Sequence, residues 1–438
     1  MSPAHKNTVL QKHILILSIV LSKVFLLLSY DYHVDTYKTL YQATIDSSGL
    51  YPAFPNLLYT MLQLGEVPAI VLITAVSWLI ILYMSYRVAE KIQSNPYITI
   101  ISVGLIPITF TQGYFTQASF LLALISTLIY FFLKIQEGSR FSAYSFTLIY
   151  FILLLSSNIA FFFLLGFIIY IIFNYSERKK SRKIEYEIML SSSLLFIWSQ
   201  IVLSPYLPTL PGVLTNLHFT TELNALLLAG IFPIMVSLWL LNKQTQSSYA
   251  KLSYFMHSLM LSAVTLASIS LLEIFTATYL IGFCASLLMG IGFNVMCDQL
   301  QKFKTDTLSK MFWNNTKKNY FIITTIILLL TSSPAIAYSY LYSDIAPFTP
   351  EQEFEGNILA PEKYAYKLGY TNQQKVVVTA PVHQTVFKTG FDEEQQRILN
   401  HMNITHIITT QTPRTTNCLE QNAFTAPFRR YDVTCSIS

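Results

Sequence analysis

The chain has 438 residues, of which 53% are hydrophobic, 14% aromatic and only 12% charged. Because charged residues make up about 25% of an ordinary soluble domain, this composition excludes that class of protein. The net charge of +5 comes mostly from basic loops between apolar runs, so it gives no indication of a nucleic-acid partner.

Apolar runs of the length that crosses a bilayer recur along the chain. They predict an all-α polytopic membrane protein with about 11 transmembrane helices. The predicted spans lie near residues 14–30, 67–86, 96–112, 116–134, 141–157, 158–174, 186–204, 223–241, 253–273, 276–296 and 319–341. The tight pairs 96–134 and 141–174 leave re-entrant hairpins open as an alternative.

Lysine and arginine residues predict the orientation of these spans, because short loops rich in them stay in the cytoplasm. Nearly all of them fall on one side if each run spans once, and the densest basic stretch is 178–183. Lys38 is the exception. We therefore expect a multi-pass protein of the cytoplasmic (inner) membrane, with its N-terminus inside and its C-terminus outside. No small-residue cleavage site follows Leu28, so the first run reads as a retained signal anchor.

Lys23 is a charged residue inside the first predicted span, about two helical turns before Asp31. Two interpretations are open. Its side chain either extends outward to the lipid headgroups, or it neutralises a lipid phosphate beside the acid.

The first external loop, residues 31–66, is the longest polar interruption in the first half of the chain. Asp31 and Asp35 lie where the first span leaves the lipid, a position from which a carboxylate meets both lipid-borne and soluble substrates. Residues 36–48 have apolar and aromatic side chains at spacings of three and four, which predicts a short amphipathic helix on the membrane surface. Prolines in the segment 52–55 then predict a structured turn.

Two later external loops also contain polar candidates. Gln112 and Gln117 in the loop 109–117 either line the same outer cavity or satisfy helix ends. His218 and Glu222 are four residues apart, so they would share one helix face. An ordinary solvated helix start is the other interpretation of that pair.

The chain changes character after residue 342 and becomes richer in charge. We divide it into a transmembrane domain, 1–342, and a small extracytoplasmic α/β domain, 343–438. The predicted elements of this second domain are a strand 375–379, a helix 392–402, a strand 404–410 and a strand near 431–436. Cys284 and Cys297 are expected to pack within the membrane, whereas a disulfide between Cys418 and Cys435 is permitted but open.

The order of short motifs in the first external loop resembles a known family. The segments 35–37 (DTY), 41–43 (YQA), 49–52 (GLYP) and 55–59 (PNLLY) resemble the first extracytoplasmic loop of GT-C type glycosyltransferases. Residues 107–134 are similar to the third and fourth spans of that superfamily, and residues 398–408 look like the helix and strand of its external domain.

The resemblance implies transfer of a sugar from a polyprenyl-phosphate-linked donor to an extracytoplasmic glycan, lipid or protein acceptor. It implies Asp35 as the general base, with Asp31 as a reserve base or a partner that tunes Asp35. The candidate substrate-binding residues are Lys23, Tyr37, Lys38, Gln112, Gln117, His218 and Glu222.

The chain also departs from the family pattern. Many members have a second acid in the second external loop, where this chain has Gln112 and Gln117, and Asn56 stands where a second proline is common. No metal ligand is therefore assigned, and a divalent metal cofactor stays open. A non-catalytic scaffold of the same fold is the main alternative function. A lipid or polysaccharide transporter is less favoured, since we find neither intramembrane acids nor matching broken helices.

Overall fold

The computed structural model describes most of the helical part of the chain and pieces of its C-terminal part. The described residues are 3–28, 40–41, 43–44, 53–92, 94–110, 117–157, 159–176, 182–203, 228–243, 250–269, 272, 274–302, 316–341, 356–360, 367–370, 376–377, 399–401, 403–409, 419–425 and 428–434. The chain forms two compact units, one of residues 1–29, 51–53 and 67–342 and the other of residues 30–50, 54–66 and 343–438.

Helices dominate the described residues up to Leu341. They are α1 (Pro3–Leu28), α2 (Ala53–Leu62), α3 (Glu66–Lys91), α4 (Pro96–Gly104), α5 (Gln117–Gln136), α6 (Arg140–Ser156), α7 (Ala160–Ser176), α8 (Lys183–Leu203), α9 (Ile231–Lys243), α10 (Ala250–Ser268), α11 (Ile274–Lys302) and α12 (Thr316–Leu341). A short 3₁₀ turn, Pro107–Phe110, follows α4.

Several helices match the predicted membrane spans. Within the described ranges, four stretches are long and apolar enough to cross a bilayer: Gln11–Leu28, Glu66–Lys91, Ala118–Gln136 and Thr276–Gln299. Shorter apolar helices occupy Arg140–Ser156, Ala160–Ser176, Ile231–Leu241 and Asn319–Pro334. The prediction of a helical membrane protein is confirmed.

The predicted span over residues 96–112 is not one continuous helix. Helix α4 begins after Asn95, whose side chain caps Tyr97 and Ile98, and it ends at Gly104. Nine residues rise by about 14 Å, roughly half the hydrocarbon thickness of a bilayer. The helix cannot continue because Pro107 lacks an N–H group and disfavours a helical conformation at the residue before it.

Helix α11 is the most buried of the four long apolar helices, with 78% of its span inside the protein. Small residues let neighbouring backbones approach it. A Cβ at Gly282 would lie 2.5 Å from the Ala229 carbonyl oxygen, and one at Gly290 would lie 2.7 Å from that of Asn95. Close approach through glycine is a common means of packing helices in membranes.

Several helix ends that carry basic residues lie close together. Lys91 at the end of α3 forms a 2.8 Å ion pair with Glu137, just after α5. The Arg182 side chain, just before α8, lies against Gly138, where a Cβ would be 2.5 Å from Nη1. These basic residues therefore share one end of the helical unit, as the charge pattern predicts.

A buried polar network joins three helices near that end. Gln136 of α5 donates to the Tyr170 hydroxyl of α7 at 2.9 Å, and that hydroxyl donates to Glu185 of α8 at 3.2 Å. Glu185 is fully buried and also accepts from the backbone N–H of Arg182 at the start of its own helix. The carboxylate thus caps α8 and fixes it to its neighbours.

The second unit contains a five-stranded mixed sheet in the order β2-β1-β3-β5-β4. Its strands are β1 (Asn357–Leu359), β2 (Val376–Val377), β3 (Ile404–Thr409), β4 (Leu419–Thr425) and β5 (Phe428–Val433). Strand β1 pairs in parallel with β2 and β3, whereas β5 pairs antiparallel with β3 and β4. The predicted α/β character is confirmed, and β1 and β4 were not predicted.

The first external loop contributes to this second unit. Leu40, Tyr41, Ala43 and Thr44 are helical, as predicted for residues 36–48, and the Thr44 hydroxyl donates to the Leu40 carbonyl at 2.9 Å. The Tyr370 hydroxyl donates to Glu66 Oε2 at 2.7 Å.

The structure describes two of the four cysteines. Cys284 and Cys297 are buried, as expected. Cys418 and Cys435 lie outside the described residues.

Candidate functional site

Lys23 lies on the buried stripe of helix α1, together with Val20 and Leu27. Large apolar residues cover the opposite face and are exposed, among them Leu21 and Phe25, which is 69% exposed. The Lys23 side chain is fully buried. The interpretation in which Lys23 extends outward to the lipid headgroups is therefore wrong, because the residue faces the other helices and not the lipid.

The Lys23 ammonium group contacts a hydroxyl and two aromatic rings. Nζ donates to the Thr109 Oγ1 atom at 2.6 Å. It also lies 3.1 Å from the centre of the Phe110 ring and 4.8 Å from that of Trp78. Cation–π contacts of this kind contribute about 0.5 to 2 kcal/mol each, so they offset part of the cost of burying a charged ammonium group.

The 3₁₀ turn positions Thr109 for this contact. Both the N–H and the hydroxyl of Thr109 donate to the Ile106 carbonyl, at 3.1 and 2.6 Å. The Thr109 hydroxyl oxygen can then accept a hydrogen bond from Lys23. The hydrogen bonds run from Lys23 to Thr109 and from Thr109 to the Ile106 carbonyl. Gly104 lets α1 approach closely, since a Cβ there would lie 3.0 Å from Ile19.

The group around Lys23, Trp78, Thr109 and Phe110 is here named the Lys23 cluster. Among the residues that the structure describes, no carboxylate lies within ion-pair distance of its ammonium group. Trp78 Nε1 is buried in the same region and has no hydrogen-bond partner among the described residues. A buried cation and an orphaned buried donor are each costly, and a bound anion would offset both costs.

Lys23 is the one predicted site residue whose side chain the structure describes. The remaining candidates, Asp31, Asp35, Tyr37, Lys38, Gln112, His218 and Glu222, lie outside the described residues. Gln117 is the first residue of α5, and its side chain is outside the description as well. The loop 109–117 nevertheless reaches the site, through Thr109 and Phe110 at its start.

Sequence reasoning missed Trp78, Thr109 and Phe110. Trp78 looks like any other apolar residue of a membrane span, and no spacing relates it to Lys23. The one signal for Thr109 and Phe110 was their place in a short polar loop between two apolar runs.

Within the described ranges, no group of three or more histidine, cysteine, aspartate or glutamate side chains is placed to hold a metal ion. Asp31 and Asp35 lie outside those ranges, and a divalent metal cofactor stays open.

Solved structures of ArnT from Cupriavidus metallidurans have the same fold as this chain. The structure bound to undecaprenyl phosphate matches with a TM-score of 0.61 at 10% sequence identity, covering 95% of this chain and 97% of that one. The apo structure also matches with a TM-score of 0.61, at 11% identity, and covers 98% of each chain. No family model matches the sequence, and no curated protein sequence does. The chain has a GT-C-like fold.

Proposed function

We propose that this GT-C-fold membrane protein is a glycosyltransferase that moves a sugar from a polyprenyl-phosphate-linked donor to an extracytoplasmic acceptor. The observation that supports this most directly is the buried Lys23 cluster. A cation held among aromatic rings, without a carboxylate among its described neighbours, suits the phosphate of a lipid. The ArnT structure with undecaprenyl phosphate gives an example of this fold with such a lipid bound.

The proposed reaction uses Lys23 and Asp35 in different roles. Asp35 takes the proton from an acceptor hydroxyl, and the acceptor oxygen attacks the anomeric carbon of the donor sugar. The bond between that carbon and the phosphate oxygen breaks, and the lipid phosphate leaves with the electron pair. Lys23 stabilises the negative charge of the phosphate, which grows as the bond breaks. Asp31 is the reserve base.

The first experiment measures binding of a polyprenyl phosphate to the purified full-length chain. Lys23→Met should weaken this binding by roughly 10- to 150-fold, because hydrogen bonds to charged groups contribute about 1.5 to 3 kcal/mol. Lys23→Arg should retain part of the affinity. Lys12→Met is the matched control, since Lys12 is on the same helix and lies 4.3 Å from the centre of the Tyr86 ring. Equal affinity in Lys23→Met and the unmodified protein would refute the phosphate role.

The second experiment tests catalysis and separates an enzyme from a scaffold. Asp35→Asn keeps the size of the side chain but cannot accept a proton, so transfer should fall by about 10² to 10⁴. Asp31→Asn should have a milder effect if Asp31 only tunes its neighbour. The measurement is the glycan profile of a deletion strain complemented with each variant. Full complementation by both variants, singly and together, would favour the non-catalytic scaffold.

A further inference from the structure

A groove runs between helices α6 and α8 on the outside of the helical unit, and it is unrelated to the Lys23 cluster. Its volume is about 950 Å³, near the upper end of the roughly 300 to 1,000 Å³ of ligand pockets. One stripe of each helix lines it, from Arg140 to Phe151 on α6 and from Lys183 to Leu195 on α8. We refer to it as the α6–α8 groove.

The α6–α8 groove has the length of one membrane leaflet. Phe151 is eleven positions after Arg140 on the helix, which corresponds to a rise of about 17 Å. Half of the hydrocarbon core of a bilayer is about 15 Å thick. Tyr144 and Leu148, on the α6 side, are 75% and 62% exposed. The groove can thus take an acyl chain along its whole depth.

The two ends of the groove differ in chemistry. Arg140 and Lys183, the first residues of their helices, form one end. Phe151 and Leu195 form the other end, where the rings of Phe151 and Trp198 are 5.8 Å apart. This arrangement matches a molecule with an anionic head and an apolar tail, and the positive ends of two helix dipoles add to the attraction.

Glu187 is the one acid among the lining residues that the structure describes. Its carboxylate lies 3.8 Å from Lys183 Nζ, and the two side chains are 60% and 92% exposed. Such an exposed pair is weak, so Lys183 remains able to bind a phosphate. With Arg140 included, the lining residues carry two cations and one anion, which favours an anionic headgroup over a zwitterionic one.

We propose that the α6–α8 groove binds one anionic phospholipid, with its phosphate between Arg140 and Lys183 and one acyl chain extending to Phe151. A second copy of the chain or another transmembrane helix fits less well. Either would bury the two exposed cations against an apolar surface, which is costly without new partners.

The test titrates the purified full-length chain with phosphatidylglycerol and with phosphatidylcholine in detergent and counts bound lipids by native mass spectrometry. The unmodified protein should prefer phosphatidylglycerol. Arg140→Gln and Lys183→Gln should each lower that affinity about fivefold, and the double variant about thirtyfold. Lys91→Gln is the matched control. It removes a cation at the same end of the helical unit, outside the groove, and should leave binding unchanged.

Two further measurements locate the lipid. Thr147→Trp fills the middle of the groove and should reduce binding of both lipids while the charges stay in place. Phosphatidylglycerol with brominated acyl chains should quench the fluorescence of Trp198, and Trp198→Phe should remove that quenching. Equal affinity for the two lipids in the unmodified protein would overturn the proposal whether or not any variant folds. Absence of Trp198 quenching, or a dimer cross-linked through the Tyr144→Cys variant, would overturn it as well.

Discussion

At the scale of single residues, Lys23 shows how a membrane protein keeps a charge away from lipid. The lysine is on the same face of α1 as Val20 and Leu27, so its ammonium group meets other helices. There it finds a hydroxyl at 2.6 Å and two aromatic rings. Intramembrane charges that face the protein interior are commonly functional, and this placement is what makes Lys23 the leading candidate of the site.

Thr109 provides a test of that placement. Thr109→Val removes the hydroxyl that accepts from Lys23 and should lower the free energy of unfolding by about 1 to 3 kcal/mol, since a buried charged donor loses its partner. Thermal unfolding in detergent measures the effect, and Thr109→Ser, which keeps a hydroxyl, should stay near the unmodified protein.

A double-mutant cycle sharpens this test. In a Lys23→Met background the Thr109→Val change should cost much less, because the charged donor is already gone. An equal cost in both backgrounds would show that the hydroxyl acts through Ile106 alone.

At the scale of elements, the sequence predicted helices well and short strands poorly. Long apolar runs identified α1, α3, α5 and α11, because a bilayer requires that length. The same length criterion predicted one helix over residues 96–112. Hydropathy does not register that a proline at position 107 prevents the helix from continuing. Strand β1 has three residues, too few for a period-two pattern, and it forms because it lies between two other strands.

The candidate site was predictable only in part. Lys23 was identifiable because a charge in an apolar run is rare. Its partners were not, since Trp78 and Thr109 are 55 and 86 residues away and only the packed helices bring them together. The buried Glu185 also gave no signal, because it precedes a span in a stretch that is charged throughout.

The glycines of α11 give a prediction at this scale. Gly290→Ala should lower stability by about 1 to 3 kcal/mol, because the new methyl group would meet Thr99 Oγ1 and the Asn95 carbonyl. Ser286→Ala on the same helix is the control, because it creates no overlap and removes only a 3.4 Å hydrogen bond. The midpoint of thermal unfolding in detergent compares them, and the idea fails if the two variants are equally stable.

At the scale of the whole molecule, the contacts of Lys91 with Glu137 and of Arg182 with Gly138 place these basic residues at the same end of the helical unit, without reference to a membrane. The absolute orientation therefore remains a prediction from the distribution of lysine and arginine.

Reporter fusions decide the orientation. A reporter fused after Ser438 should be active outside the cytoplasm, and one inserted near Lys180 should be active only inside, since the basic stretch 178–183 resists translocation. The measurement is the activity of two reporter types, one active on each side of the membrane, fused at the same positions. External activity at Lys180 would reverse the topology.

The pairing of Glu66 with Tyr370 has a consequence for biosynthesis. The two residues are 304 positions apart, and they belong to a unit that joins the start of the chain to its end. At about 5 to 20 residues per second, Glu66 leaves the ribosome roughly 15 to 60 s before its partner exists. During that interval Glu66 cannot accept the hydrogen bond from Tyr370. A ribosome that stalls late in the message would thus release a chain with its helices inserted and the early segment around Glu66 still exposed to chaperones and proteases.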